Sequence, residues 1–134
     1  MKKKNSKSKY HNKPVTIAGI QYDSIKEAGR HKELMLLERA GKIKNLACQV
    51  RFELIPAQYE TFERYSDKTG KRLKDGKRCL EQSCDYYADF VYYDIERGQM
   101  VVEDVKSDAT KKKESYIIKR KLMLQVHGIR IHEV

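Results

Sequence analysis

"DYYADFVYYDIERGQMVVEDVKS", Asp85 to Ser107, is the stretch on which the fold turns. Two runs rich in aromatic and β-branched residues flank "ERGQ", the pattern of two strands joined by a turn. Such a hairpin is stable only inside a larger sheet with a covered face, yet Asp89, Asp104 and Lys106 interrupt it. Buried charges are costly unless they are paired or hold a metal. Side chains alternate along a strand, so Asp104 and Lys106 share one face, Glu103 and Val105 the other, and the hairpin lays Asp89 beside Asp104. Two carboxylates and a lysine converging at strand ends suit Mg²⁺, which takes oxygen ligands and usually only one or two protein carboxylates. The lysine can orient a water and offset charge on a phosphate. The plainer alternative is a structural ion pair between Lys106 and either acid. Asp-x-Lys also recurs at Asp75 and Lys77, in a glycine turn where solvated charges are ordinary.

Working outward, "VTIAGIQYDS" predicts a small hairpin turning at Gly19 and leading to Ser24. "SIKEAGRHKELMLLERAGKI" predicts a helix with Ser24 as N-cap, an apolar stripe of Ala28, Leu34 and Leu37, and Gly41 as its stop. Ser24-x-x-Glu27 is also a capping box, in which Glu27 bonds back to the Ser24 amide. "LACQVRFELIP" predicts a strand with Leu46, Cys48, Val50, Phe52 and Leu54 on one face and Pro56 at its end; Gln49, near its head, could reach the acids. Residues 63–84 lack periodicity and predict a long mobile loop. After strands 86–94 and 100–106, "KKKESYIIKRKLMLQVHG" predicts a helix with Ile117, Ile118, Lys121, Leu122 and Leu124 at helical spacing and Gly128 as its stop, and "IRIHEV" predicts a last strand. The core order is α-β-β-β-α-β, an α/β (α+β) fold with a mixed sheet flanked by helices.

A chain of 134 residues accommodates one such domain, here 14–134, preceded by a flexible basic arm at 1–13. The long uncharged apolar run of a membrane helix is missing, and no apolar segment follows the lysine-rich start as in a signal peptide; a cytoplasmic protein without a membrane partner is expected. Cys48, Cys79 and Cys84 are an odd number without framework spacing, so free thiols are expected, and Cys79 with Cys84 lacks two further zinc ligands. Net charge is +10, unevenly placed: residues 1–13 carry +6, 68–78 carry +5 and 111–121 carry +5, leaving −6 on the rest. Clustered cations on an acidic body suit a polyanion, with solubility as the plainer role. Tyr86, Tyr87, Tyr92 and Tyr93 suit cross-strand packing or stacking on unpaired bases.

With these residues in place, "SIKEAGRHKELMLLERAGKIKNLACQV", "YYADFVYYDIERGQMVVEDVKS" and "YIIKRKLMLQVHGIRIHEV" resemble the PD-(D/E)XK nuclease superfamily, and within it a branch of small phage-encoded predicted endonucleases. The likeness spans Val15 to Val134 without the 63–84 segment. It implies a restriction-endonuclease-like core and an Mg²⁺- or Mn²⁺-dependent endodeoxyribonuclease, with a Holliday-junction-resolvase-like activity as one variant. It also implies residence in a bacterial host cell if the chain is phage-encoded. Asp89 matches the motif aspartate, Asp104 and Lys106 the (D/E)xK pair, and Glu27 the acid of the first helix, so Asp89, Asp104 and Glu27 are the implied metal residues and Lys106 the implied catalytic lysine. Two departures stand: Ala88 replaces the motif proline, and the second acid is Asp where Glu is commoner. Expected DNA contacts are Lys71, Arg72, Lys74, Lys77 and Arg78 in the loop and Lys111, Lys112, Lys113, Lys119 and Arg120 in the last basic run, and a homodimer would serve two-strand cleavage. The rival reading is a non-catalytic nucleic-acid-binding protein whose acids and lysine form a structural cluster.

Overall fold

The computed structural model describes residues 14–17 and 19–134; the basic arm at 1–13 lies outside them. A two-stranded hairpin, β1 (Val15–Ile17) and β2 (Ile20–Tyr22), precedes helix α1 (Ile25–Arg39). Strand β3 (Ile43–Ile55) leads into a second hairpin, β4 (Gln58–Tyr65) and β5 (Arg72–Glu81). Then come β6 (Cys84–Asp94), β7 (Gln99–Asp104), a one-turn helix α2 (Asp108–Lys111), α3 (Glu114–His127) and β8 (His132–Glu133). The central sheet runs β3-β6-β7-β8, antiparallel except for β7 and β8. With the two hairpins and α2 set aside, its elements follow the expected order α-β-β-β-α-β, and the chain is a mixed α+β fold.

Two apolar clusters cover the two faces of this sheet. Leu34 of α1 packs on Ile43, Phe90 and Tyr92, with Leu46, Val101 and Val105 at the margin. Tyr116 and Met123 of α3 pack on Leu54, Tyr86, Ala88, Val102 and Ile131, with Phe52 at the margin. β3 therefore does not keep one inward face. Leu46 faces the α1 layer, whereas Phe52 and Leu54 face the α3 layer. Between them Gln49 takes φ +51, a left-handed turn within a strand, which a non-glycine residue adopts only at some cost. β6 changes sides at the same level: Tyr86 and Ala88 point to α3, Phe90 and Tyr92 to α1. A bulge between Lys44 and Ala47 adds local twist.

Helix boundaries follow their caps. Ser24 Oγ accepts from the Glu27 amide at 3.1 Å, and α3 ends at Gly128 in the left-handed conformation. The stripe of α3 is displaced from the expected one: Tyr116 and Met123 are buried, while Ile118 and Leu124 are half exposed. On α1, Ala28 and Leu34 are buried as expected, and Leu37 is exposed.

Residues 63–84 are not a loop. Residues 58–81 build the β4–β5 ribbon, which forms a sheet of its own, and Cys84 already belongs to β6. Its strands show no apolar alternation because both faces meet solvent. Cross-strand pairs hold it instead. The Phe62 ring lies on Gly76, where an added Cβ would sit 2.3 Å from Cζ. Lys77 stands 4.1 Å over the Tyr59 ring and Arg78 4.8 Å over Phe62, and Arg78 pairs with Glu60 at 3.1 Å.

Candidate active site

Asp89 lies mid-strand in β6 and Asp104 at the end of β7, antiparallel to it, with Phe90 opposite Glu103. The register that covers the apolar residues thus delivers both acids to the interior: Asp104 is fully buried and Asp89 only 8% exposed. Glu27, in the first turn of α1, is buried as well. Two of the three acids, Glu27 and Asp89, are linked through a residue that the sequence offered only as a possibility. Gln49 Nε2 donates to Glu27 Oε1 at 3.1 Å and to Asp89 Oδ1 at 3.0 Å.

Each remaining oxygen has a distinct fate. Glu27 Oε2 accepts from the Asp23 amide at 3.0 Å, one residue before the position that the capping box implies, so one carboxylate both caps the helix and faces the site. Asp89 Oδ2 accepts from the Val105 amide at 2.8 Å. Asp104 Oδ2 accepts from the Tyr86 hydroxyl at 2.6 Å. Asp104 Oδ1 is buried, and no hydrogen-bond donor among the described residues is directed at it. Lys106 Nζ stands 3.2 Å away as an ion-pair partner without hydrogen-bond alignment, and it lies 5.5 Å from the Tyr116 ring centroid.

Electrostatics match this crowding. Burial first, and then the neighbouring Asp89 carboxyl, raise the Asp104 pKa to about 7 against the pull of Tyr86 and Lys106. Glu27 is raised by burial and then by the Asp89 charge, and the Asp23 and Gln49 donors oppose this. A cleft of about 200 Å³ opens beside Glu27, Asp89 and Lys106, with Lys26, Ser107 and Thr110 also on its walls. Among the described residues no group of three or more His, Cys, Asp or Glu side chains is placed to hold a metal ion. Two carboxylates and an unfilled, buried Asp104 oxygen nevertheless fit a hard cation that keeps most of its waters.

On the opposite face Glu103 is also fully buried. Arg30 Nε and Nη2 bind its two oxygens, and the Tyr92 hydroxyl donates to Oε2 at 2.7 Å. The sequence reading placed Glu103 on the far face but gave it no partner; Arg30, three residues after Glu27 on α1, was the available signal.

The basic residues divide into groups. Lys71, Arg72, Lys74, Lys77 and Arg78 belong to the ribbon, where Arg72 pairs with Asp75 at 3.2 Å and Arg78 with Glu60. Lys111 ends α2, Lys112 is its C-cap, and Arg120 of α3 faces Glu133 at 3.8 Å. Lys113 and Lys119 line a groove that also contains Lys106. Of the tyrosines, Tyr86 and Tyr92 are buried, Tyr93 lies under Lys44, and Tyr87 is exposed. Cys48, Cys79 and Cys84 are free thiols. Among the described residues no helix is long and apolar enough to cross a membrane.

No curated protein and no solved structure matches the chain. The family described as "Protein of unknown function (DUF1064)" matches residues 7–132, and the chain belongs to that family.

Proposed function

We propose that the chain is a Mg²⁺- or Mn²⁺-dependent DNA endonuclease of the PD-(D/E)XK type with a restriction-endonuclease-like core, selective for DNA structure more than for base sequence. The observation that carries this reading is the buried Asp104, whose Oδ1 has no directed donor although Asp89 and Lys106 stand beside it. A carboxylate oxygen left this way in an interior is costly, and a cation bound there relieves the cost. Asp89, which lines the cleft with Glu27, and Asp104, buried behind it, would hold the metal. When bound, the cation supplies a Lewis acid that acidifies its water and offsets phosphate charge.

The chain's own groups supply the rest. Gln49 fixes Glu27 and Asp89 relative to each other. The Val105 amide and the Tyr86 hydroxyl fix the rotamers of Asp89 and Asp104. Lys106, partly exposed at the cleft wall, presents an ammonium that positions the attacking water and stabilises charge developing on the phosphate. Cations of the ribbon and of the basic run at 111–121, outside the cleft, neutralise further phosphates. Selectivity for shape follows from the elements used: nearly every helix and central strand is spent on the core, and phosphate contacts carry no base code.

The test is incubation with linear, single-stranded, flapped and four-way DNA, with Mg²⁺, Mn²⁺ or EDTA, beside Asp104→Asn. Metal-dependent cutting that disappears in the variant is expected. Metal-dependent cutting retained by Asp104→Asn, or binding without cutting under every condition, would instead leave a nucleic-acid-binding protein with a structural acid cluster.

A further inference from the structure

A second groove, of about 310 Å³, adjoins the acid cleft and shares Lys106 and Thr110 with it. Lys113, Lys119, Ser115 and Tyr87 also line it, and no carboxylate does. In a chain with 19 acids, three ammonium groups, two aliphatic hydroxyls and three tyrosines around one groove, continuous with a cleft of acids, form a track of sharply changing potential. Such a surface attracts phosphate oxygens at one end while a cation is held at the other. Tyr87 is the odd member. Tyr86 and Tyr92, its neighbours in β6, are buried and donate to Asp104 and Glu103, whereas Tyr87 is 54% exposed and packs in neither core cluster. An aromatic ring left in water beside a lysine-lined groove has the composition of a base-stacking platform.

We propose that this groove holds the nucleotide next to the scissile phosphate, with Lys113 and Lys119 on phosphate oxygens and the Tyr87 ring stacked on its base. The inference rests on the nuclease reading above and narrows its substrate. A base stacked on a protein ring has left its own helix. The substrate is therefore DNA with at least one unpaired nucleotide beside the cut: a fork, flap, junction or single strand.

Fluorescence anisotropy with a labelled 20-nucleotide strand, its duplex and a fork of the same sequence, all in Ca²⁺, tests the stack without relying on cleavage. The full chain is expected to bind strand and fork more tightly than duplex. Tyr87→Ala and Tyr87→Leu should weaken both by roughly 5- to 100-fold and change duplex binding less than about twofold, with Tyr87→Phe close to wild type. Lys113→Ala with Lys119→Ala should weaken all three probes, as phosphate contacts do. Thermal melting identifies a misfolded variant, and Tyr87→Leu, which keeps side-chain bulk, then decides. Equal losses on all three probes, no loss on any, wild-type preference for duplex, or no binding at all would overturn the proposal. A Tyr87-dependent preference in a protein that never cuts supports the groove and refutes the nuclease, whereas cutting with Tyr87-independent binding refutes the groove alone.

Discussion

Asp104→Asn separates a metal site from a structural salt bridge by the sign of a stability change. In the folded chain the Asp104 pKa is raised from 3.8 to about 7. Below about pH 4 the carboxyl is neutral in both folded and unfolded states and has no electrostatic effect on stability. As pH rises toward 7, the unfolded chain releases this proton while the folded chain retains it, so folding weakens progressively. Above about pH 7 both states are charged and the penalty is complete, on the order of 4 kcal/mol. Asparagine keeps the acceptor for Tyr86 and offers Asp89 an amide donor, while the partly exposed Lys106 loses a partner. Without metal, the variant should therefore be about 2–4 kcal/mol more stable than wild type at pH 8.5, roughly 10 °C in Tm, with the gap closing toward pH 4. Urea unfolding in EDTA across pH 4–9 measures it, and adding Mn²⁺ should stabilise wild type alone. A variant less stable than wild type at pH 8.5, as loss of a useful ion pair requires, would refute the reasoning.

Lys106→Ala should lower turnover far more than Mn²⁺ affinity, because the ammonium is no ligand, and Lys106→Arg should rescue poorly since a flat guanidinium replaces a compact charge; calorimetric titration showing complete loss of metal binding contradicts this. Glu103→Gln leaves Arg30 facing a neutral partner in the interior and should destabilise by about 3–5 kcal/mol, read by urea midpoint with an unchanged slope. Gly76→Val puts side-chain carbon into the Phe62 ring, so limited proteolysis within residues 58–81 should accelerate while the main unfolding transition moves by less than about 1 kcal/mol, as the ribbon shares no sheet with the core. Gln49→Gly keeps the left-handed backbone without strain and removes both side-chain donors; stability within about 1 kcal/mol of wild type with sharply reduced cleavage and weaker Mn²⁺ binding is expected, and unimpaired cleavage would exclude Gln49 from the site.

The core strands and both long helices were legible because they bury apolar residues with a period, and the acids were legible because they break that period inside "DYYADFVYYDIERGQMVVEDVKS". The ribbon was not, since exposed strands carry no burial pattern. Its determinants are pairs such as Phe62 over Gly76 that exist only once the register is set. The buried stripe of α3 was misplaced for a related reason. Its apolar residues outnumber the positions that the sheet covers, and contact with β3 and β6 selects Tyr116 and Met123 and leaves Ile118 in water.

The least legible feature is the one that joins fold to site. A strand that served one core layer throughout would carry Leu46, Cys48, Val50, Phe52 and Leu54 on a single face, as alternation implies. Because α1 and α3 cover opposite faces at opposite ends of β3, the strand must change its inward face part-way, and one residue must leave the extended conformation to do so. That residue is Gln49, at φ +51, and the partner strand crosses over at the same level, between Ala88 and Phe90. At a crossover neither helix covers the sheet fully, so Asp89 has room for a cleft beside it. The displaced side chain at Gln49 is left opposite Asp89, with its amide between that carboxylate and Glu27. The backbone irregularity that lets one sheet serve two helices thus opens the cleft and supplies the donor that holds its acids together.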